Sequence, residues 1–357
     1  MGIIIADNTD IDPLILSDLE TAIGEFPASA REPSMRYDHS RLLKILMDKE
    51  ISELAGDDEL LQRGGGIASA FGRISSMIRT APGEVLSEYD RVESMARSTL
   101  TGCVYLYTLQ WGLSVKALYY YRNKEYNAAL AYTMQCISVA EYLVHQGMRS
   151  LLFRCMEQNR NISRVMFVSG KEDEGSRHAG AILDYLLTGR NTGLTGSVFD
   201  EGHWLSMPYV REGYAYHFFI ALTHYFKDEQ LIQSKKERLF NNLFGHLDFE
   251  TNTPDRLIIY NWIYLKRKEI EGDFTAFVQE FSAFMSEPIC QIYDMPRIIL
   301  FRDLARIVKK NSYLSKSTLP GKIDHYMKTR ITNYSDLTTR ASNNGPIADI
   351  KILIPGS

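Results

Sequence analysis

The spacing of the apolar residues restricts this chain to helices almost everywhere. Roughly a dozen segments repeat their apolar residues every three or four positions, which is the pattern of one face of an α-helix. Short breaks separate these segments, as is usual between packed helices. Runs of β-branched residues typical of strands are confined to the two ends, at 3–5 and 350–354. The sequence therefore predicts an all-α fold.

Composition narrows the class of protein. Of the 357 residues, 45% are apolar and 24% are charged, which is ordinary for a folded domain. The net charge is −4, so no overall positive field attracts nucleic acid or anionic lipid. No apolar run reaches the roughly 18 residues of a membrane span. The amino terminus has no basic flank of a signal peptide, and the four cysteines include no CxxC pair. We therefore expect a cytoplasmic protein that binds neither nucleic acid nor membrane.

The longest break between helical segments lies at 188–204. It is rich in Gly and Thr and has no helical period, so it is either a domain boundary or a loop on a continuous array. Around it we predict an N-terminal helical region at 1–100, helical hairpins at 101–190, further hairpins at 200–335 and an extended tail at 336–357.

One stretch, "YYYRNKEYNAALAYTMQC" at 119–136, indicates how two of the predicted helices pack together. It predicts helices at Leu106–Tyr121 and Tyr126–Val144, joined by a turn too short for anything but an antiparallel hairpin. Alanines in the second helix allow the two backbones to approach closely. Successive residues on a helix diverge by about 100°, so at least one of Tyr119–Tyr121 faces solvent or a partner.

The same stretch resembles the core of a tetratricopeptide repeat. In that family the turn is followed by an acidic-aromatic-x-x-Ala-Leu-x-aromatic pattern, and the matching residues here are Glu125, Tyr126, Ala129, Leu130 and Tyr132. Similar helix–turn–helix patterns follow at 165–186, 218–240 and 261–285. Their spacing drifts between about 40 and 55 residues, whereas the family keeps about 34. The resemblance implies an array of antiparallel helical hairpins with degenerate repeats.

The later half, at 203–232 and 255–288, resembles in layout the all-helical immunity proteins of bacterial polymorphic toxin systems. A Trp-led helix reaches an Ala-Leu core and a Lys-Asp turn, and an aromatic-rich helix then precedes a short helix ending near Glu-Pro. This resemblance implies a non-catalytic protein that neutralises a cognate toxin by occluding its active site. Its partner would be another protein, in particular a basic toxin domain.

Two groups of residues are candidates for contacting that partner. The segment 48–59 holds six acids and one lysine, and is either a solvated face or a docking surface for a basic protein. Aromatic side chains are common binding anchors, although burial in the core is the more frequent role of such residues. The candidate contact residues are Asp48, Glu50, Glu53, Asp57, Asp58, Glu59, Tyr119, Tyr121, Trp204, Tyr209 and Tyr214.

Patterns with catalytic meaning are few. Arg211 and His217 resemble the Arg-x(4–6)-His signature of HEPN ribonucleases, in which the pair acts on the RNA 2′-hydroxyl and phosphate, although Glu212 would oppose a phosphate. His217 and His224 share a helix face, but no third ligand accompanies them as a zinc site requires.

The densest glycine cluster, Gly64–Gly66, lacks the Lys-Ser/Thr of a phosphate-binding loop, and we interpret it as a helix stop and restart. The sequence therefore favours a non-enzymatic protein without cofactor or metal. A tetratricopeptide-type scaffold that binds peptides and a HEPN-like ribonuclease are the alternatives.

Overall fold

A computed structural model describes residues 11, 13–30, 39–227, 231–310, 317–331 and 334. Within these residues the chain forms fifteen α-helices and no β-strand, apart from one isolated bridge between Ala30 and Cys290. The all-α prediction is confirmed. The apolar runs at 3–5 and 350–354 and the predicted tail at 336–357 lie outside the described residues. In the part of the chain that is described, no helix is long and apolar enough to cross a membrane.

The helices are α1 (Pro13–Glu25), α2 (His39–Ala55), α3 (Asp58–Thr80), α4 (Val85–Thr99), α5 (Gly102–Arg122), α6 (Tyr126–His145), α7 (Leu151–Val168), α8 (Glu172–Thr188), α9 (Glu201–Ser206), α10 (Pro208–Thr223), α11 (Gln233–Phe244), α12 (Pro254–Glu271), α13 (Phe274–Ser286), α14 (Asp294–Lys310) and α15 (Leu319–Arg330).

The helices divide into two compact units. Unit 1 contains α1 and the chain from Tyr216 through α15, whereas unit 2 runs from α2 to Ala215 in the middle of α10. This division by packing groups α1 with the helices that follow Tyr216, whereas the four regions expected from the sequence are consecutive.

Unit 2 contains the predicted hairpin. Helix α6 begins at Tyr126, as expected, whereas α5 starts four residues earlier than predicted and ends one residue later, at Arg122. The turn closes through a hydrogen bond from the amide of Glu125 to the carbonyl oxygen of Tyr120. Between them Lys124 adopts a left-handed backbone conformation with φ +63°. This is the Schellman arrangement that commonly ends helices.

The turn between α7 and α8 repeats this geometry 46 residues later (170 − 124). There the amide of Lys171 donates to the carbonyl oxygen of Met166, and the left-handed position is occupied by Gly170, with φ +86°. Because α5 packs on α6, α6 on α7 and α7 on α8, unit 2 has two consecutive hairpins with matching turns.

The prediction that Gly64–Gly66 interrupts a helix is wrong, because α3 runs through all three glycines without a break. Gly64 is buried where α3 approaches α5, and a Cβ there would lie 2.7 Å from a methyl carbon of Val104. In this case the small residue serves close packing between two helices, which offsets the weak helical preference of glycine.

The break at 188–204 is a loop anchored within unit 2. The side chain of Asn159 on α7 accepts a hydrogen bond from the amide of Thr195 at 2.8 Å and donates one to its carbonyl oxygen at 2.9 Å. Leu194, Val198 and Phe199 are buried. The loop ends where Asp200 caps the short helix α9.

Unit 1 joins the two ends of the described chain. Helix α1 packs on α13 and α15, and the buried ring of Phe26, just after α1, meets the rings of Phe281 and Tyr326 edge-on. The chain after α1 is also held by its backbone, since the amide of Ser29 donates to the carbonyl oxygen of Arg330 at 3.0 Å. Apolar packing and hydrogen bonds therefore fix α1 to α13 and α15, which lie far away in sequence.

Unit 1 also buries a network of five charged side chains: Lys236, Lys266, Glu269, Asp303 and Arg306. The Nζ atom of Lys266, which has no exposed surface, lies 2.6 Å from Asp303 Oδ2 and 3.0 Å from Glu269 Oε2. Burial by itself raises the pKa of Glu269, but the three surrounding cations outweigh it and lower that pKa to about 2. For Asp303, burial prevails and the pKa is raised.

Candidate protein-binding surfaces

The acidic segment spans the end of α2 and the start of α3. Five of its six carboxylates are exposed: Asp48, Glu53, Asp57, Asp58 and Glu59. Two of these form surface ion pairs within their own helix, Glu53 with Lys49 at 3.7 Å and Glu59 with Arg63. Surface pairs of this type contribute little to stability, so the segment presents a largely solvated negative surface.

Two carboxylates in this segment have structural roles. Glu50 is half-buried, and its carboxylate accepts hydrogen bonds from the backbone amide of Ser150 at 3.0 and 3.2 Å and from the Ser150 hydroxyl. Burial raises the pKa of Glu50 despite these bonds. Asp57 caps α3 by accepting from the amides of Glu59 and Leu60. We therefore exclude Glu50 and Asp57 from variants that test the surface.

Helix α2 also exposes apolar side chains, which the sequence analysis missed. The exposed fractions are 39% for Leu42, 55% for Ile45 and 37% for Leu54. Leu42 and Ile45 lie three residues apart and so share a face of the helix. A helical wheel of α2 would have suggested that this helix carries more apolar residues than one buried face accommodates. Apolar groups bordered by charged ones are the usual composition of a protein-binding surface.

The three consecutive tyrosines lie partly in the hairpin and partly at the surface. All three are half-buried. The ring of Tyr120 stacks on Tyr132 of α6 with centroids 5.3 Å apart, and Tyr121 packs on Tyr126 at 6.3 Å. Tyr119 contacts the edge of Tyr120 at 5.4 Å. Tyr119 and Tyr121 thus support the hairpin and keep some accessible surface.

The region of α9 and the start of α10 holds the most exposed aromatic side chain among the candidates. Tyr209 is 84% exposed, and Leu205 nearby in sequence is 58% exposed. Trp204 is half-buried and fixed in place, because its Nε1 donates to the carbonyl oxygen of Leu186 at 3.3 Å. The guanidinium of Arg211 covers its ring at 3.8 Å.

Tyr214 belongs to the core of unit 2 and offers no exposed ring. Its ring packs on Phe153 with centroids 4.9 Å apart, and its hydroxyl lies 3.1 Å from Glu157 Oε1. Burial raises the pKa of this phenol well above its ordinary value. The sequence did not separate Tyr214 from Tyr209 because both lie in one aromatic-rich helix without a clear apolar stripe.

The residues of the ribonuclease hypothesis lie on α10. Arg211 is 8% exposed, and its Nη1 donates to the carbonyl oxygen of Trp204 at 2.8 Å. A guanidinium that stabilises a phosphate must reach the substrate, whereas this one is packed against Trp204. The geometry of Arg211 therefore gives the ribonuclease hypothesis no support.

Another polar cluster lies inside unit 2, around Arg154. Its guanidinium lies over the ring of Trp111 at 4.2 Å and donates to Ser114 Oγ at 2.7 Å and to Glu157 Oε2 at 2.9 Å. The Sγ atom of Cys136 lies 3.4 Å from Ser114 Oγ. Burial raises the pKa of Cys136, so the sulfur stays a thiol and is a poor nucleophile. The cluster joins α5, α6 and α7, which is a structural role.

Among the described residues, no group of three or more His, Cys, Asp and Glu side chains has the arrangement of a metal site. The chain has no significant match to any family model, curated protein or solved structure. The tetratricopeptide and immunity-protein resemblances therefore stay predictions from the sequence.

Proposed function

We propose that this chain is a non-catalytic protein-binding array, and that it acts as an immunity protein which neutralises a basic bacterial toxin by covering the toxin's active site. The observation that carries the proposal is the surface of α2 and the start of α3. There the exposed carboxylates of Asp48 and Glu53 lie on the same helix, α2, as the exposed side chains of Leu42 and Ile45, and the exposed Asp58 follows at the start of α3.

This combination suits a basic protein partner. Negative charge on one protein and positive charge on the other accelerate association, while apolar contact at the centre supplies most of the binding energy. A nuclease or similar toxin that handles anionic substrates carries the required positive surface. Helices α2 and α3 are packed on the rest of unit 2, so the surface loses little conformational entropy on binding.

Co-expression with the secreted toxin encoded beside this gene tests the proposal. The chain should protect the host cell and copurify with the toxin in a stoichiometric complex. The variant Asp48→Lys/Glu53→Lys/Asp58→Lys should lose protection and associate more slowly, with an effect that weakens as the salt concentration rises.

A matched control reverses three exposed carboxylates elsewhere in unit 2: Asp90→Lys/Glu125→Lys/Glu201→Lys. It changes the net charge equally and should protect like the parent chain. Loss of protection in both variants would indicate a general charge effect and contradict the assignment of the surface. The absence of any complex with a toxin product would contradict the immunity function itself.

A further inference from the structure

Unit 1 contains a groove that the sequence analysis did not anticipate, along the junction of α12 and α13. Its volume is about 350 Å³, within the range of roughly 300–1,000 Å³ typical of ligand-binding clefts. The side chains of Leu265, Phe284 and Ile289 are buried beneath it, and Leu257 is 46% exposed at its edge. The groove is therefore an apolar depression open to solvent.

The α12 side of the groove follows one face of that helix. Pro254, Leu257, Asn261 and Tyr264 line it at spacings of three and four residues, which places them in a row about 15 Å long at 1.5 Å per residue. A row of this length spans nearly three turns of a helix. The elongated shape of the groove therefore suits one face of a second helix better than a compact small molecule.

Two carboxylates border the α13 side. Glu280 and Glu287 both line the groove and both are exposed. They are seven residues apart, which corresponds to about 10 Å, or two turns of helix. Neither forms an ion pair with any residue that the structure describes. The groove thus has an apolar floor and two accessible negative charges at its edge.

The surroundings add further negative charge. The ring of Phe249 packs edge-on against Tyr260 at 6.3 Å, which brings the exposed carboxylates of the loop at 248–250 to the outer face of α12. Arg256, the cation of this half of α12, is only 6% exposed. Lys268 lies 5.7 Å from the Tyr264 ring but is paired with Asp273 and Glu271. No accessible unpaired cation among these described groups offsets the acidic edge.

We propose that this groove binds a basic amphipathic helix of a partner protein, with apolar side chains on the floor and two cations, seven residues apart, beside Glu280 and Glu287. Charge complementarity selects this occupant. An acidic helix would place like charges at the edge, and a second copy of this groove would do the same. The inference does not depend on the proposed toxin-neutralising role, because the groove belongs to unit 1 and the acidic surface of α2 and α3 to unit 2.

Fluorescence anisotropy of a labelled helical peptide tests the proposal. The probe is a 16-residue Ala-rich peptide with Arg at positions i and i+7 and Leu at i+3 and i+4. Two further probes replace both Arg by Glu or both Leu by Ser. The full-length chain should bind the first probe at least tenfold more tightly than either of the others. If the Ser probe bound as tightly as the first probe, charge alone would explain the interaction, and the groove assignment would be overturned.

Variants of the chain locate the binding site. Glu280→Lys/Glu287→Lys should weaken binding of the Arg/Leu probe at least tenfold, and Ala283→Arg, which places a long side chain in the groove, should do the same. The matched control Asp18→Lys/Glu25→Lys reverses two exposed carboxylates of unit 1 that are also seven residues apart but lie outside the groove, and it should bind like the parent. Thermal unfolding confirms that each variant is folded. Undiminished binding by the Glu280/Glu287 variant, or no binding by the parent chain, overturns the proposal.

Discussion

Removing the central cation of the buried charge network in unit 1 is the most informative test of the packing described above. Lys266→Met keeps the length of the side chain but deletes an ammonium that lies 2.6 Å from Asp303 Oδ2 and 3.0 Å from Glu269 Oε2. Breaking a buried ion pair costs about 3–5 kcal/mol. Arg306 remains beside both carboxylates and Lys236 beside Glu269, so we expect a loss of about 3 kcal/mol at pH 7, the lower end of that range.

The pH dependence distinguishes an electrostatic effect from poor packing. The pKa of Glu269 is lowered from 4.5 to about 2, so its ionised form stabilises the folded state above pH 4.5. That stabilisation, about 3 kcal/mol for a shift of this size, is lost as the pH falls from 4.5 towards 2. Without Lys266 the pKa of Glu269 rises towards its ordinary value. The difference between parent and variant should therefore narrow between pH 5 and pH 3.

Urea unfolding at pH 7, 5 and 3 measures this difference, and hydrogen exchange in α12 and α14 assigns it to unit 1. Lys268→Met is the control, because Lys268 lies on the same helix in surface ion pairs with Asp273 and Glu271. It should change the free energy of unfolding by less than about 1 kcal/mol at each of the three pH values. A Lys266→Met effect below about 1 kcal/mol, or one that is constant with pH, would refute the electrostatic reasoning.

Three further predictions concern unit 2. Lys124→Gly should raise the free energy of unfolding by about 1 kcal/mol, because a left-handed residue with a Cβ is strained there, and a lower stability by thermal or urea unfolding would contradict this. Gly175→Ala should lower the free energy of unfolding by about 1–3 kcal/mol, because the new Cβ would lie 2.9 Å from a backbone oxygen of α7. Its control is Gly65→Ala, which adds a methyl group in open space on α3 and should be neutral or stabilising in the same assay. Glu50→Ala should cost about 1–2 kcal/mol, because the amide and hydroxyl of Ser150 at the start of α7 would lose their acceptor. Glu50→Gln should retain most of the stability, since it keeps an acceptor oxygen and burial already disfavours the charged form of Glu50. Equal losses of stability in the two variants would contradict this explanation.

The hairpin of α5 and α6 in unit 2 could be predicted from the sequence because it depends on residues that are close together in the chain. The break between Tyr121 and Tyr126 is polar and short, and the helices on both sides are long, so the hairpin followed from periodicity alone. The Gly64–Gly66 prediction failed because it weighed helical propensity without knowing that α5 approaches α3 at that point. Tertiary packing decided the outcome, as it often does for a glycine within a helix.

The grouping of helices into units was not accessible in the same way. Nothing in the apolar pattern of α1 specifies α13 and α15 as its neighbours, because many amphipathic helices carry equivalent stripes. The apolar pattern likewise did not show which aromatic residues are exposed. Tyr209 and Tyr214 differ by five positions on one aromatic-rich helix, and only the positions of Phe153 and Glu157 show which of them is buried. The groove along α12 and α13 lies between consecutive helices, but its shape depends on how these helices pack, which their apolar pattern does not specify.

The attachment of α1 to α13 and α15 determines when unit 1 can be completed during synthesis. At about 5–20 residues per second, α1 leaves the ribosome some 15–60 seconds before the segment around Arg330 is made. Until α13 and then α15 are made, the apolar side chains of Leu19, Ile23 and Phe26, all buried in the finished protein, lack the helices against which α1 packs. Unit 2 meets no such delay, since its helices become available in the order in which they pack. The nascent chain therefore depends on α1 staying free of aggregation until the segment around Arg330 has been made.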